Sequence, residues 1–161
     1  MNKKDTVVFD LDGTLLDTLE DLKNSVNYAM TQCGYPEHTL DEVRRYVGNG
    51  ILLLMQRAIP GGKDDPNFDK AFTLFKEHYG KHCNDTTKPY AGIMELLHTL
   101  KENNIKIAIV SNKADFAVKE LNAIYFKDLI PVAIGEKESE GIRKKPAPDT
   151  VIEALKQLGS T

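Results

Sequence analysis

Two hydrophobic periods run along this chain, and the places where one gives way to the other outline its organisation. Residues 6–11 (TVVFDL) form a short, almost unbroken β-branched and aromatic run, the pattern of a strand buried on both faces. Similar runs follow at 105–110 (IKIAIV) and 129–134 (LIPVAI). Between the second and third, Ala117, Val118 and Leu121 share one face of a helix predicted over 114–121. After the third, Val151, Ile152, Leu155 and Leu158 predict a helix over 150–158, with Gly159 where it should end. One more helix is expected over 93–100. Strands alternating with helices imply parallel pairing through crossovers, so the expected class is α/β, a Rossmann-like parallel sheet core.

The stretch from 18 to 87 has a different rhythm. Leu19, Leu22, Val26, Ala29 and Met30 keep helical spacing, as do Phe68, Ala71, Phe72, Phe75 and Tyr79. Thr18 with Asp21, and Thr39 with Glu42, have the spacing of capping boxes that open helices. The apolar run 51–55 suits a short helix, broken by Pro60-Gly61-Gly62. No strand pattern competes. The expected organisation is a helical cap domain, 18–87, inserted into a core formed by 1–17 and 88–161 and standing over one end of the sheet.

The first strand runs into Asp10-Leu11-Asp12-Gly13-Thr14. Residues two apart on an extended chain point to the same side, so both carboxylates can face one site beyond the strand's carboxyl end. Open α/β sheets place their ligands at that end. Gly13 permits a sharp turn, and the amides after it are candidates to face an anion. Two neighbouring acids repel, so a cation or a shared proton is expected between them. Taken alone, an Asp-rich strand end is as readily a simple turn.

Composition narrows the partners. With 41% hydrophobic and 28% charged residues, the chain is globular rather than disordered. A formal net charge of -3 gives no basic surface for nucleic acid or an anionic membrane. No stretch approaches the roughly 18 apolar residues of a membrane span. Cys33 and Cys83 lack metal or redox spacing, and two reduced thiols of a cytoplasmic protein are the expectation.

DLDGTLLDT closely resembles the nucleophile motif of the haloacid dehalogenase superfamily, and other segments resemble that family in order. Ser111-Asn112-Lys113 is similar to its second motif. Lys145 in Lys145-Pro146-Ala147-Pro148-Asp149 is similar to its third. Pro89-Tyr90-Ala91-Gly92 resembles the return from cap to core. The resemblance implies a phosphomonoester hydrolase in which Asp10 attacks phosphorus and forms an aspartyl-phosphate. Asp12 would protonate the leaving alcohol and later deprotonate the hydrolytic water. Ser111, Asn112, Thr14 and Lys145 would bind the phosphate, Lys145 as a fixed positive charge. The implied cofactor is Mg2+, held by Asp10 and the Asp12 backbone carbonyl. In the insert, residues 43–50 (VRRYVGNG) resemble the cap of phosphoglycolate phosphatases, which makes Arg45 and Asn49 substrate candidates and implies a small phosphorylated metabolite. Arg45 reads equally well as an ordinary exposed helical arginine.

The pattern also breaks. The family's fourth motif, a further strand ending in acidic metal ligands, has no counterpart here, and Asp64-Asp65 lies in a Pro/Gly loop. The expectation is a chain truncated before that motif, with magnesium affinity and turnover below those of a full-length relative. The first strand would then be an apolar edge prone to homo-oligomeric association through strand pairing. Two alternatives stay open. One is a catalytically impaired fragment with a residual phosphate pocket. The other is another branch of the superfamily: pyrophosphatase, nucleotidase or sugar-phosphate mutase.

Overall fold

A computed structural model describes residues 3–160. In chain order the elements are strand β1 (Thr6–Phe9), strand β2 (Leu16–Asp17) and helices α1 (Leu19–Gln32), α2 (Leu40–Tyr46), α3 (Ile51–Ala58) and α4 (Phe68–His82). Then come strand β3 (Lys88–Pro89), helix α5 (Ile93–Glu102), strand β4 (Lys106–Ala114), helix α6 (Asp115–Tyr125), strand β5 (Val132–Glu136) and helix α7 (Asp149–Leu158). The chain forms two compact units, one of Met1–Leu16 with Pro89–Thr161, the other of Asp17–Lys88. The architecture is α/β with a parallel sheet. No helix among the described residues is long and apolar enough to cross a membrane.

In the first unit β1, β4 and β5 form a sheet in the order β1-β4-β5, parallel throughout, with Phe9 opposite Ile109 and Val110 opposite Ile134. The strand period of two sorts the apolar residues onto both faces. Ile107 and Ile109 of β4 pack with Leu97 of α5 and with Val118 and Leu121 of α6. The intervening Ala108 and Val110 pack with Val132, Ile134 and Ala154 of α7. A central strand covered on both sides needs a continuous apolar run, which IKIAIV supplies.

The observed boundaries of all three strands differ from expectation. β1 ends at Phe9, because Leu11 leaves the sheet to accept the amides of Thr14, Leu15 and Leu16. β4 continues four residues past Val110 as far as Ala114, with a register irregularity between those two positions. β5 begins at Val132 rather than 129, since the amides of Leu129 and Ile130 both donate to the Phe126 carbonyl and Pro131 follows. Leu129 and Ile130 are core residues of a turn, and hydrophobicity alone does not separate that from a strand.

The second unit is helical. α1 and α4 bring Leu22, Val26, Ala29 and Met30 against Phe68, Ala71, Phe75 and Tyr79, and Val43, Leu54 and Met55 join the same core. Thr39 caps α2 as expected: its side chain accepts the Glu42 amide while the Glu42 carboxylate accepts the Thr39 amide. The second expected capping box is absent, since the Thr18 side chain makes no capping bond to α1. Asp21 is instead buried and accepts the amides and hydroxyls of Thr86 and Thr87, at 2.8 to 3.1 Å. Its carboxylate ties the start of α1 to the segment after α4. Neither Cys33 nor Cys83 is in a disulfide.

Candidate functional site

The carboxyl ends of β1 and β4 lie side by side because these strands are parallel neighbours. Asp10 follows β1 directly. Asp12 lies two residues on, at the entrance to a turn closed by Leu11 and Leu16. The Gly13 amide donates to the Leu16 carbonyl, and those of Thr14, Leu15 and Leu16 donate to Leu11. This corrects the expectation that the amides after Gly13 present themselves to an anion: the turn itself uses those of Thr14, Leu15 and Leu16. Gly13 sits at φ +75°, the left-handed region in which a side chain is strained. Thr14 is exposed on this turn.

Ser111, Asn112 and Lys113 occupy the last part of β4. The buried Ser111 hydroxyl accepts the Lys113 amide at 3.1 Å. Asn112, expected as a phosphate donor, directs its carboxamide to the Lys145 backbone. Oδ1 accepts the Lys145 amide at 2.9 Å, and Nδ2 donates to the Lys145 carbonyl at 3.2 Å. A loop residue from beyond β5 is thereby fixed against the end of β4. The Lys145 ammonium then donates to the Val110 carbonyl at 3.0 Å and to Asp10 Oδ1 at 3.1 Å.

Asp12 has a cation of its own. Lys113 Nζ lies 2.9 Å from Asp12 Oδ1, and the Lys113 side chain is only 3% exposed. The expected repulsion between adjacent acids is met by two lysines, one opposite each carboxylate. Asp10, Asp12, Ser111, Asn112, Lys113 and Lys145 therefore form one connected network. Lys113 was not among the residues to which sequence reasoning gave a role; its place beside Ser111 in the motif was the available signal.

The floor beneath the network is tightly packed. Gly135 of β5 comes so close to the turn between β4 and α6 that an added Cβ would lie 2.5 Å from the Lys113 carbonyl oxygen and from the Asp115 Cα. Gly135→Ala is expected to lower stability by about 1–3 kcal/mol through overpacking and to displace the 111–113 segment. Chemical denaturation together with phosphatase assay would check it; unchanged values of both would show the segment to be yielding.

Asp115 anchors the same turn. It accepts the Gly135 amide at 2.9 Å and the Lys119 ammonium at 2.6 Å, with Lys137 nearby. Burial alone would raise its carboxyl pKa, but the Lys119 and Gly135 hydrogen bonds and the Lys119 and Lys137 charges bring it below the ordinary value. A depressed folded-state pKa stabilises above the unfolded-state value and is lost as pH falls through the folded one. Asp115→Asn should therefore reduce stability at pH 7 by roughly 1 kcal/mol, and the deficit should fade below the usual carboxylate range of about pH 4. Urea melts of both proteins from pH 7 to pH 2 would test this, and a pH-independent deficit would contradict it.

Arg45 and Asn49 belong to the helical unit. Arg45 is exposed in the last turn of α2, where a cation suits the helix's negative end. Asn49 Oδ1 accepts from Arg57, which also donates to the Tyr46 carbonyl, so Asn49 helps close the connection from α2 to α3.

The groups suited to a hard metal ion are the Asp10 carboxylate and the Asp12 backbone carbonyl, oxygen donors of the kind magnesium prefers. Among the described residues, no three or more His, Cys, Asp or Glu side chains gather into a metal site. The residues present thus fit part of an octahedral shell.

A family model described as haloacid dehalogenase-like hydrolase matches residues 7–161. A phosphoglycolate phosphatase of Thiobacillus denitrificans is 32% identical over 158 residues, covering 95% of this chain and 69% of that protein. A phosphoglycolate phosphatase of Aquifex aeolicus is 32% identical over 157 residues, covering 95% of this chain and 70% of its own length. Among solved structures, one from Lactobacillus delbrueckii subsp. bulgaricus, provisionally assigned as a phosphoglycolate phosphatase, superposes with a TM-score of 0.87 at 33% identity. It covers 100% of this chain and 75% of that one.

Proposed function

Because the chain belongs to the haloacid dehalogenase-like hydrolase family, we propose that it is a phosphomonoester hydrolase acting on small phosphorylated metabolites of the phosphoglycolate kind. The observation that carries this reading is the Lys145 ammonium 3.1 Å from Asp10 Oδ1, at the carboxyl end of neighbouring parallel strands and joined through Asn112 and Lys113 to the second acid, Asp12. The relatives' names supply the substrate class.

An Asp10 carboxylate oxygen attacks phosphorus. The bond from phosphorus to the ester oxygen breaks, and the departing oxygen takes a proton from Asp12, which enters this step as the carboxylic acid. Water then gives its proton to Asp12 and attacks the phosphorus of the aspartyl-phosphate, releasing phosphate and restoring Asp10. Lys145 places a fixed charge where negative charge concentrates on the phosphoryl group, and the Ser111 hydroxyl donates to one of its oxygens. Phosphatases of this family generally depend on a metal ion, and we take it to be magnesium. When bound, it neutralises phosphoryl oxygen charge. Two cysteines outside any disulfide suit a reducing compartment, and we place the protein in the cytoplasm.

The test is hydrolysis of 2-phosphoglycolate, other small phosphate esters and p-nitrophenyl phosphate with magnesium present. Acid-quenched enzyme is then reduced with borohydride, which converts an aspartyl-phosphate to homoserine. Turnover favouring the small carboxylated ester, with homoserine found by mass spectrometry at position 10, is the expected result. No turnover and no modified Asp10 would sink the proposal.

A further inference from the structure

We propose that Lys113 is a positioning residue that fixes the Asp12 carboxylate for proton exchange, a role that rests on the phosphatase reading. Lysine side chains are almost never buried unless paired, yet that of Lys113 is 3% exposed while that of Asp12 is 27% exposed. The buried partner is therefore the rigid one, and the more exposed carboxylate takes its place from it. At 2.9 Å the contact has the length of a charge-assisted hydrogen bond.

Both ends of Lys113 are held. Its amide donates to the buried Ser111 hydroxyl, and its carbonyl lies under Gly135, with no room even for a methyl group between them. The backbone that carries the side chain is thus held by packing of β4 against β5, and the side chain itself is buried. The turn that carries Asp12 is exposed at Gly13 and Thr14, and its own amides bond within the turn. A lysine reaching it from 101 positions away ties the Asp12 carboxylate to the end of β4.

An apolar side chain would fill the same buried volume without the cost of desolvating an ammonium. A charge at this place is accounted for by the carboxylate it holds. Lys113 lies one residue beyond Asn112, which fixes the Lys145 backbone, so the same short segment sets one lysine for each acid.

The experiment compares the full chain with Lys113→Met, which keeps length and apolar stem, and with Lys113→Arg, which keeps the charge. Steady-state assays on p-nitrophenyl phosphate should show kcat lowered about 10²-fold in Lys113→Met, the cost of a catalytic group misplaced by roughly 1 Å, with KM changed less than about twofold. Lys113→Arg should recover part of that loss. Crystals of Lys113→Met should show the Asp12 carboxylate swung away from its present position. A kcat within about threefold of the parent, or an Asp12 carboxylate that stays in place, would overturn the assignment. If the parent chain hydrolyses nothing, the phosphatase reading fails separately, and the Asp12 position in the two crystals still decides this one. Should Lys113→Met not fold, Lys113→Gln replaces it under the same two criteria.

Discussion

Asp10→Asn is expected to lower kcat by at least about 10⁴-fold, as loss of a covalent nucleophile does, while changing stability by less than about 1 kcal/mol. The two halves of this expectation come from the same geometry. Asp10 stands past the end of β1, and its side chain is 46% exposed, so no core packing depends on it. Its ion pair with Lys145 is half in solvent and adds little to the fold. Its carboxylate oxygen is nevertheless the one that a fixed ammonium faces at 3.1 Å, with the Leu11 amide donating to the same atom at 2.9 Å. The amide of Asn keeps the shape and loses the nucleophile. Parallel assays and urea melts would separate the effects. A variant that retains a tenth of the parent's turnover would remove Asp10 from the chemistry, and one that fails to fold would show its carboxylate to be structural.

What the sequence disclosed, and what it hid, follows from how far each signal reaches along the chain. The helical core of the second unit was legible because its apolar residues recur at three and four positions within single helices, as in Leu22, Val26, Ala29 and Met30. β4 was legible for the matching reason: a strand covered on both faces must be apolar without interruption. That Asp10 and Lys145 meet, 3.1 Å apart, was legible from motifs that the family resemblance places in one site. Hidden features depend on partners distant in sequence. Asp21 carries the local signature of a capping box, yet its carboxylate is claimed by Thr86 and Thr87, 65 and 66 positions later. Asn112 looks like a phosphate donor until the Lys145 backbone, 33 positions away, is brought against it. Lys113 carries no role in its motif by sequence, because its partner Asp12 lies 101 positions away. A polar side chain's task is set by what the fold places opposite it, whereas an apolar side chain's task is mostly declared by its spacing.

The two partners of the Asp12–Lys113 pair should respond unequally to removal, and this gives the second large effect. Asp12→Ala leaves an ammonium that is 3% exposed without its carboxylate, and breaking a buried pair from one side costs on the order of 3 kcal/mol. Lys113→Met leaves the carboxylate instead, and that group is 27% exposed and hydrated by the solvent it already meets. The methionine keeps a buried apolar stem without desolvating a charge, so the change should fall within about 1 kcal/mol of the parent. The double variant Asp12→Ala with Lys113→Met should regain most of what Asp12→Ala loses, a coupling that a double-mutant cycle in urea would read. Equal losses in both single variants would mean that the pair is a symmetric surface contact. Strict additivity would mean that Lys113 is held by the rest of its surroundings and that Asp12 is incidental to it. The expected asymmetry, by contrast, identifies a charge that costs stability on its own and is compensated by the acid that meets it.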